Sequence, residues 1–518
     1  MTSPASITLT SPRGTRLTFR DGIFIGNEFH ASQAGQDGKI TVFNPATGQE
    51  LCKVTAGGKE DVDAAVEAAE EALKTSWGLK STPAERGALL YKWADLIEQN
   101  ASELAELEAM DNGKPRWMAK DFDIADSIAC LRYYAGLADK VSGKTIEMKD
   151  GDNFAFTRVE PIGVTGAIIP WNYPIQMAAW KLGPALAAGN CLILKPAEQT
   201  PLSALKLAEL AAEAGYPPGV LAVINGYGKD VGAAISEHPR IRKVAFTGST
   251  VTGRKIMASS AHSNLKKVTL ELGGKSPVLV FDDVDIEEAV PWVALAILFN
   301  MGQDCCAGSR LFVQRGIHDA FIAKLIEAFK AHKIGDPFDD TSSHGPQVSK
   351  EQYEKIMSYI EYGKKGGAKV AYGGGRAEAA AKGDLAGGYW VEPTIFTGCQ
   401  KGMRIVDDEI FGPVLAVIPF DTEEEAIEMA NDTEYGLAAG IFSTGASRCM
   451  RVLAALKAGT IWVNNYALLS NAVPFGGYKQ SGMGRELGVD AIKEWTEVKS
   501  VHWNIGTKLD WPLQGGGA

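Results

Sequence analysis

The sequence predicts an α/β protein built on parallel sheets, and three observations lead to that prediction. From residue 164 onward, short apolar runs alternate with helical segments, as in Val164–Ile169, Gln176–Ala188 and Cys191–Lys195. Such alternation is typical of a doubly wound parallel sheet. A second run of the same kind extends from about Ser276 to Gly459. With 518 residues, the chain is also long enough for two or three lobes with cores of their own.

The N-terminal part of the chain predicts short strands followed by helices. Strands are expected at Phe24–Phe29 and Ile40–Pro45, where apolar residues end in turn residues. A helix is expected over Asp61–Leu73, because apolar side chains recur on one of its faces. Thr82–Glu85 forms a capping-box pattern with proline at the first helical position, and predicts a second helix that runs to Asn100.

Two segments depart from this pattern. Residues 1–20 contain three arginines and no acidic residue, which faintly resembles a mitochondrial presequence, but Pro4 and Pro12 would break its helix. A flexible tail is therefore the better interpretation. In Lys144–Gly163, side chains alternate around the turn residues Asp150–Asn153 and predict a β-hairpin. Such a hairpin is either an interface arm or an ordinary surface feature.

Composition and charge narrow the class of protein. Hydrophobic residues make up 45% and charged residues 22%, as in soluble globular proteins. The net charge of −11 argues against nucleic acid or an anionic membrane as the main partner, and no apolar run approaches the ~18 residues of a membrane span. The seven cysteines are odd in number and widely spaced, which favours free thiols in a reducing compartment. The histidines do not cluster, so no metal site is predicted.

Cys305 and Glu271 are the strongest candidates for catalysis. Cys305 lies between Gly302 and Gly308, which allow close backbone approach, and a thiolate there could attack a carbonyl carbon. Glu271 could then activate water as a general base. Asn172 could donate its amide to a developing oxyanion, an interaction worth about 3 kcal/mol. The alternatives are a buried structural cysteine, a capping glutamate and an ordinary turn asparagine.

Two segments at strand ends favour a dinucleotide cofactor. Gly248 and Ser249 follow a strand and begin a helix, whose N-terminus could hold a phosphate, although a plain helix cap is the simpler alternative. Lys195 and Glu198 stand at the carboxyl end of a parallel strand, where nucleotides bind. The Glu198 carboxylate could accept hydrogen bonds from both ribose hydroxyls and would repel a 2′-phosphate. NAD is therefore favoured over NADP, with a loop salt bridge as the alternative.

Eight motifs then occur in the order known from one family. They are Phe43–Gly48, Pro170–Pro174, Lys195–Pro201, Phe246–Thr250, Glu271–Pro277, Gly302–Cys305, Glu409–Pro413 and Pro474–Gly482. With these motifs, the chain from about Phe19 to Ile505 resembles the NAD(P)-dependent aldehyde dehydrogenase superfamily. It looks most like the hydrolytic class that includes the cytosolic and mitochondrial enzymes.

The resemblance implies a fold of three parts and a homo-oligomer, either a dimer or a tetramer. A Rossmann-type parallel-sheet NAD-binding domain would be joined to an α/β catalytic domain and a β oligomerisation arm, which would include Glu497–Trp503. The expected boundaries are 21–143 and 164–274 for the NAD-binding domain, 275–485 for the catalytic domain, 144–163 and 486–505 for the arm, and 1–20 and 506–518 for flexible tails. A cytoplasmic location is expected, with a mitochondrial one as the alternative.

The resemblance also implies a role for each site residue. Cys305 would form a thiohemiacetal with the aldehyde, and Asn172 and the Cys305 backbone N–H would hold its oxyanion. Hydride transfer to NAD would leave a thioester, which water activated by Glu271 would hydrolyse, with Glu486 assisting the proton relay. The implied cofactor contacts are Ile168, Trp171, Lys195, Glu198, Gly248, Ser249, Leu272, Glu409 and Phe411.

The implied substrate tunnel has an aromatic and apolar wall without an obvious carboxylate. Its expected residues are Tyr173, Met177, Trp180, Phe299 and the segment Tyr466–Ser470. Apolar aliphatic or arylalkyl aldehydes are therefore expected as substrates, rather than betaine aldehyde or amino aldehydes. Two other hypotheses are a catalytically silent binding protein on the same scaffold and an acyltransferase to coenzyme A, although such acyltransferases lack a glutamate at the Glu271 position.

The chain departs from the family pattern in two places. Asp304 stands where the closest relatives often have cysteine, and a carboxylate that faced the site would oppose thiolate formation. We therefore expect Asp304 to point away from the site. The alanine-rich stretch Arg376–Leu385 resembles an insertion and is expected to form a surface loop far from the chemistry.

Overall fold

The computed structural model describes residues 6–34, 38–148, 153–506 and 508. The strands are β1 (Ser6–Thr10), β2 (Arg16–Arg20), β3 (Ile23–Ile25), β4 (Glu28–His30), β5 (Lys39–Asn44), β6 (Gln49–Thr55), β7 (Thr145–Ile146), β8 (Asn153–Pro161), β9 (Val164–Ile168), β10 (Cys191–Lys195), β11 (Leu221–Val223), β12 (Lys243–Thr247), β13 (Lys267–Glu271), β14 (Pro277–Val280), β15 (Arg310–Gln314), β16 (Lys369–Tyr372), β17 (Thr394–Thr397), β18 (Val414–Phe420), β19 (Ala438–Phe442), β20 (Thr460–Val463), β21 (Gly482–Met483) and β22 (Thr496–Asn504).

The α-helices lie mostly between these strands, in the alternation that the sequence predicts. They are α1 (Lys59–Thr75), α2 (Pro83–Gln99), α3 (Ala101–Asn112), α4 (Arg116–Met118), α5 (Ala125–Leu137), α6 (Pro174–Ala188), α7 (Leu202–Ala214), α8 (Ala233–Glu237), α9 (Thr250–His262), α10 (Ile286–Leu298), α11 (His318–Ala331), α12 (Lys350–Lys365), α13 (Arg404–Asp407), α14 (Glu423–Asn431), α15 (Ala446–Ala455) and α16 (Gly488–Glu494). The capping box before α2 forms as predicted, since Thr82 accepts a hydrogen bond from the backbone of Glu85 and Glu85 accepts one from the backbone of Thr82.

Two large sheets confirm the predicted α/β class. The first has the order β21-β13-β12-β9-β10-β11-β3-β4 and is parallel from β13 through β11. The second has the order β16-β17-β18-β15-β14-β19-β20 and is parallel except at its β16 edge. The central strands are buried on both faces, as expected for parallel sheets covered by helices.

A third sheet forms the predicted arm. Strand β8 pairs antiparallel with β7 on one side and with β22 on the other, so the hairpin and the C-terminal strand come together. The turn predicted around residues 149–152 lies outside the described residues. Exposed apolar side chains stand on this sheet and beside it, including Val498, Trp503 and Ile505.

The flexible tail expected over residues 1–20 is wrong for residues 6–20. Strands β1 and β2 form an antiparallel hairpin there, with Ser6 opposite Arg20. Its period-two pattern places Leu17 and Phe19 in the core, and Arg13 forms an ion pair with Asp340. Burial of one face of the hairpin therefore orders the segment. Most of the tail expected at 506–518 lies outside the described residues.

The alanine-rich stretch is not simply a surface loop. Ala377 and Ala380 are buried against the indole of Trp390, which is itself fully buried. Trp390 donates its indole N–H to the carbonyl of Leu385 at 2.9 Å. These two alanines are therefore small packing residues, whereas Ala379 between them is exposed to solvent.

Candidate active site

One cavity of about 500 Å³ brings most of the predicted site residues together. It lies where loops leave the carboxyl ends of β9, β12 and β13, which is where ligands bind in open parallel sheets. The predicted residues that line it are Trp171, Asn172, Tyr173, Met177, Trp180, Gly248, Ser249, Glu271, Leu272, Phe299, Cys305, Glu409, Phe411, Glu486 and, from the segment 466–470, Tyr466, Ala467, Leu468 and Leu469.

The chain before Cys305 adopts an unusual backbone. Asn300, Met301 and Gly302 have successive positive φ angles of 47°, 59° and 68°, and non-glycine residues rarely adopt such angles. The Asn300 side chain secures this turn by donating to the carbonyls of Asn172, at 3.0 Å, and Gln303, at 3.1 Å. A Cβ on Gly302 would lie 2.3 Å from the carbonyl carbon of Gly412. Cys305 is therefore presented by a strained and tightly packed turn.

Cys305 and Cys306 both line the cavity, contrary to what an extended chain would allow. The chain turns here, and Ala307 donates its N–H to the carbonyl of Asp304 at 3.1 Å. The expectation that Asp304 points away is also wrong. Its carboxylate lines the cavity and accepts hydrogen bonds from the Tyr173 hydroxyl and the Cys306 backbone N–H, both at 3.1 Å. The turn redirects this side chain, and no local sequence pattern predicts that.

The two thiols differ in their electrostatics. A hydrogen bond from the Cys306 thiol lowers the pKa of Cys305. Burial and the carboxyl groups of Asp304, Glu271 and Glu409 raise that pKa by more, so its net value lies above the ordinary one. The same thiol–thiol hydrogen bond and burial raise the pKa of Cys306 well above its usual range. Of the two thiols, Cys305 therefore has the less raised pKa and is the better nucleophile.

Glu271 is a buried carboxyl group without a fixed partner. It ends β13 and is 5% exposed, and neither of its side-chain oxygens has a hydrogen-bond partner in the described structure. Burial raises its pKa well above the usual range, and the nearby Glu486 raises it further, while Lys181 and Arg485 act in the opposite direction. A raised pKa makes the ionised form of this group a stronger base, which can take up a proton from water as a general base must.

A buried ion pair adjoins Glu271 and was missed by the sequence reasoning. Lys181 donates to Glu486 in a short contact and to the Thr247 hydroxyl at 2.7 Å. Lys181 is fully buried in α6, among apolar neighbours. A single lysine in an otherwise apolar helix was the signal that could have found it, because a buried ammonium needs a partner.

The cofactor side of the cavity has glycines where the backbone is crowded. Glu409 accepts a hydrogen bond from the Gly274 N–H at 2.9 Å, and a Cβ on Gly273 would lie 2.3 Å from the Glu409 carboxylate. The rings of Trp171 and Phe411 meet edge to face at 5.2 Å. These contacts hold the Glu409 carboxylate and the Trp171 and Phe411 rings in the wall of the cavity.

Three other predicted cofactor residues do not line this cavity. Ile168 and Lys195 end the adjacent strands β9 and β10 and stand opposite each other in register. The Lys195 ammonium lies 2.9 Å from the Pro196 carbonyl oxygen and 3.5 Å from a Glu198 carboxylate oxygen. Burial lowers the pKa of Lys195, against the opposing effect of Glu198. These three residues thus form a separate cluster at the same edge of the sheet.

The far end of the tunnel is aromatic, as expected, but it also contains a carboxylate. Asp126 of α5 lines the cavity and accepts hydrogen bonds from Gln176 at 2.8 Å, Trp180 at 3.1 Å and Asn471 at 3.0 Å. The expectation of a wall without a carboxylate is therefore wrong. Asp126 belongs to α5, which precedes all the expected pocket residues in the chain. The sequence around those residues therefore did not reveal it.

Comparisons with known proteins identify the family of the chain. A model of the aldehyde dehydrogenase family matches residues 32–501. An aldehyde dehydrogenase of Emericella nidulans is 51% identical, over 94% of this chain and 96% of its own. The mitochondrial aldehyde dehydrogenase of Rattus norvegicus is 47% identical, over 98% and 96%. The NAD⁺ complex of aldehyde dehydrogenase from Bacillus cereus superposes with a TM-score of 0.90 and 49% identity, covering 94% of this chain and 97% of that one.

The chain therefore belongs to the aldehyde dehydrogenase family, as the eight motifs indicated. Its fold is the family fold, with a Rossmann-type parallel sheet and a second α/β sheet. Within the described residues, no helix is both long and apolar enough to cross a bilayer.

Proposed function

We propose that this protein oxidises an aldehyde to a carboxylic acid with NAD, through a covalent thioester on Cys305. One observation supports the proposal most directly. The same cavity is lined by the Cys305 thiol, the Asn172 side-chain amide and the buried Glu271 carboxyl group, which has no hydrogen-bond partner among the described residues. Family membership supports the reaction class, and the geometry supports the residue roles.

Cys305 would act as the nucleophile and Asn172 as the oxyanion donor. The sulfur adds to the carbonyl carbon, and the carbonyl oxygen takes the negative charge. The amide nitrogen of Asn172 carries two N–H groups, of which one donates to the Gln303 carbonyl at 3.0 Å. The second remains for the oxyanion, together with the Cys305 backbone N–H. A single donor of this kind is worth about 3 kcal/mol in the transition state.

Glu271 would serve the second half of the reaction. Its carboxylate removes a proton from water as the water oxygen attacks the thioester carbon, and the Cys305 thiolate leaves. Glu486, paired with Lys181, is the next carboxyl group on the path for that proton. Glu486 raises the pKa of Glu271, which supports a shared role of the two carboxyl groups in proton transfer.

The residues on the other side of the cavity, together with the separate cluster of Ile168, Lys195 and Glu198, fit NAD, which supplies the hydride acceptor when bound. Glu409 would hold the nicotinamide ribose, and Lys195 with Glu198 the adenosine ribose. Ser249 caps α9 by accepting the Thr252 N–H at 3.3 Å, so the helix N-terminus begins beside the cavity. The remaining proposed contacts are Ile168, Trp171, Gly248, Leu272 and Phe411. The Glu198 carboxylate would repel a 2′-phosphate, which favours NAD over NADP.

Apolar aliphatic or arylalkyl aldehydes are the first proposed substrate class. The cavity wall near Cys305 is built from aromatic rings, with Phe299 5.3 Å from Phe122 and 6.5 Å from Tyr173 between ring centroids. Met177 completes this part of the wall. An apolar chain would replace water on these surfaces at about 25 cal/mol per Å².

An amino aldehyde is a second candidate, favoured by Asp126. Its three hydrogen-bond donors are all neutral, and among the described residues no lysine, arginine or histidine forms an ion pair with it. An ammonium group at the far end of a substrate would find an unpaired carboxylate there. A pair of aldehydes of equal length, one ending in a methyl and one in an ammonium group, separates the two classes by kcat/KM.

A homodimer or homotetramer and a reducing compartment complete the proposal. The arm sheet formed by β7, β8 and β22 exposes apolar side chains that a partner subunit would cover. All seven cysteines carry free thiols, which supports the cytoplasm, or alternatively the mitochondrion, over an oxidising compartment.

The decisive experiment measures NADH formation with a panel of aldehydes, for the unchanged protein and for Cys305→Ala. The unchanged protein is expected to form NADH and the carboxylic acid, and Cys305→Ala to form neither. Cys306→Ala is the matched control and should keep a measurable rate. A silent binding protein would show no turnover, and an acyltransferase would require coenzyme A to release its product.

A further inference from the structure

The end of helix α3 lies directly beneath the turn that carries Asn172. Gly113 caps this helix with a left-handed φ of 88°. A Cβ at Gly113 would lie 2.9 Å from side-chain atoms of Pro45 and Pro346, so the position is closely packed. The residues on either side of Gly113, Asn112 and Lys114, are both fully buried.

Both side chains donate hydrogen bonds to the backbone of that turn. Asn112 donates to the Trp171 carbonyl at 2.7 Å and to the Asn172 carbonyl at 3.5 Å. The Lys114 ammonium donates to the Asn172 carbonyl at 2.9 Å. With Asn300, the backbone oxygen of Asn172 accepts from three side chains. The residue is thereby held through its backbone carbonyl, independently of its side-chain amide.

Burial of Lys114 needs an explanation, because an ammonium group without water is costly. It forms an ion pair with Asp123, and Glu108 lies at 3.6 Å. Its ammonium also sits 4.5 Å from the centre of the Tyr173 ring, and Tyr173 holds Asp304 beside the nucleophile. Lys114 does not itself line the cavity, so any effect it has on the reaction passes through its neighbours.

We propose that Asn112 and Lys114 are positioning residues that orient Asn172 towards the oxyanion. The proposal rests on the function proposed above for Asn172. If the peptide carbonyl of Asn172 rotates, its side-chain amide moves as well. A misplacement of about 1 Å at a reacting centre costs on the order of 100-fold in rate. Donors on the backbone oxygen prevent that rotation without touching substrate.

The test replaces each donor and measures chemistry separately from binding. Asn112→Ala and Lys114→Met are expected to lower kcat by about 10-fold to 100-fold. The dissociation constant for NAD, measured by fluorescence, should stay within about twofold, and Lys114→Arg should recover part of the rate. A deuterium label on the aldehyde carbon should give a larger isotope effect in both variants if the chemical steps have become slower. Lys120→Met, on an exposed lysine nearby, is the matched control.

A double-mutant cycle shows whether the effect passes through Asn172. In an Asn172→Ala background, adding Asn112→Ala should change the remaining rate by less than about twofold. An undiminished further loss there, or a kcat within about twofold of the unchanged protein for the single Asn112→Ala variant, overturns the proposal. If Lys114→Met fails to fold, Asn112→Ala, which removes no charge, still decides the outcome. An unchanged protein that oxidises no aldehyde would contradict the proposed function instead.

Discussion

At the scale of single residues, the site depends on carboxyl groups whose protonation is set by burial. Glu271 has no hydrogen-bond partner for either side-chain oxygen, and its pKa is raised by burial and by Glu486. Asp304 is partly buried, and burial raises its pKa, but Tyr173 and Cys306 hold it by hydrogen bonds. Of these two carboxyl groups, Glu271 is therefore the one free to exchange a proton with water.

Replacement of Glu271 separates the two halves of the reaction. Glu271→Gln is expected to form about one NADH per subunit in a rapid burst and then to turn over about 10²-fold to 10⁴-fold more slowly, since hydrolysis has lost its base. In the unchanged protein, the hydrolytic rate should rise with pH through the raised pKa of Glu271, because only the carboxylate accepts a proton. Stopped-flow NADH absorbance measures the burst and the later steady rate, and repeating it at several pH values gives the pH dependence. Glu424→Gln, on the surface, should behave normally, and steady turnover in Glu271→Gln would contradict the assignment.

At the scale of elements, the turn Asn300–Gly302 decides where Cys305 points. Gly302→Ala meets two obstacles, a φ of 68° and a Cβ 2.3 Å from Gly412. We expect a lower melting temperature and a loss of activity larger than the loss of folded protein, because the nucleophile is displaced.

Gly402 supplies the matched control for that substitution. Its φ is 88°, but a Cβ there would meet nothing within 4 Å. Gly402→Ala therefore carries the backbone strain without the close contact and should keep its activity. Equal losses in the two variants, measured by kcat and by thermal unfolding, would show that the contact with Gly412 does not matter.

At the scale of the whole molecule, we expect the arm sheet to determine how subunits assemble. Trp503 is 59% exposed and Val498 is 68% exposed, which is unusual for large apolar side chains of one small sheet. Trp503→Ser with Val498→Ser is expected to shift the protein to smaller oligomers in light scattering at decreasing concentration. Leu265→Ser, on an even more exposed leucine outside the arm, should leave the mass unchanged. A monomeric unchanged protein would contradict the predicted assembly.

Acid stability is a second property of the whole molecule. The rings of the partly buried His332 and the fully buried His344 stand 5.3 Å apart, and burial lowers the pKa of His332 to about 4 and that of His344 well below its usual range. The unfolded chain binds these protons near pH 6.5 and the folded chain does not, so stability falls as the pH drops below 6.5. For His332 the full effect is up to about 3 kcal/mol.

Melting temperatures at pH 7.5 and pH 5 measure this effect. His344→Gln removes one of the two buried groups and should lose less of its melting temperature on acidification than the unchanged protein does. His262→Gln changes an exposed histidine and should show the same loss as the unchanged protein. Identical losses in all three proteins would mean that other groups control acid unfolding.

The sequence by itself determined the fold class and the candidate residues for the chemistry. Strand β10 lies at Cys191–Lys195 as predicted, because alternation and helix stops are local signals. Cys305, Glu271 and Asn172 could be named as candidates because loop motifs at strand ends are also local. The β1–β2 hairpin was missed because prolines near its turn outweighed a period-two pattern that becomes stable only when Leu17 and Phe19 are buried.

Only the tertiary structure decided the neighbours of those residues. Lys181 meets Glu486 across more than 300 positions of the chain, and Asp126 meets Asn471 in the same way. Asp304 turned towards the nucleophile because the strained turn before it reverses the chain. Charges and hydrogen bonds act over a few ångströms in space, whatever the separation in sequence, so local patterns name the reacting groups but not what surrounds them.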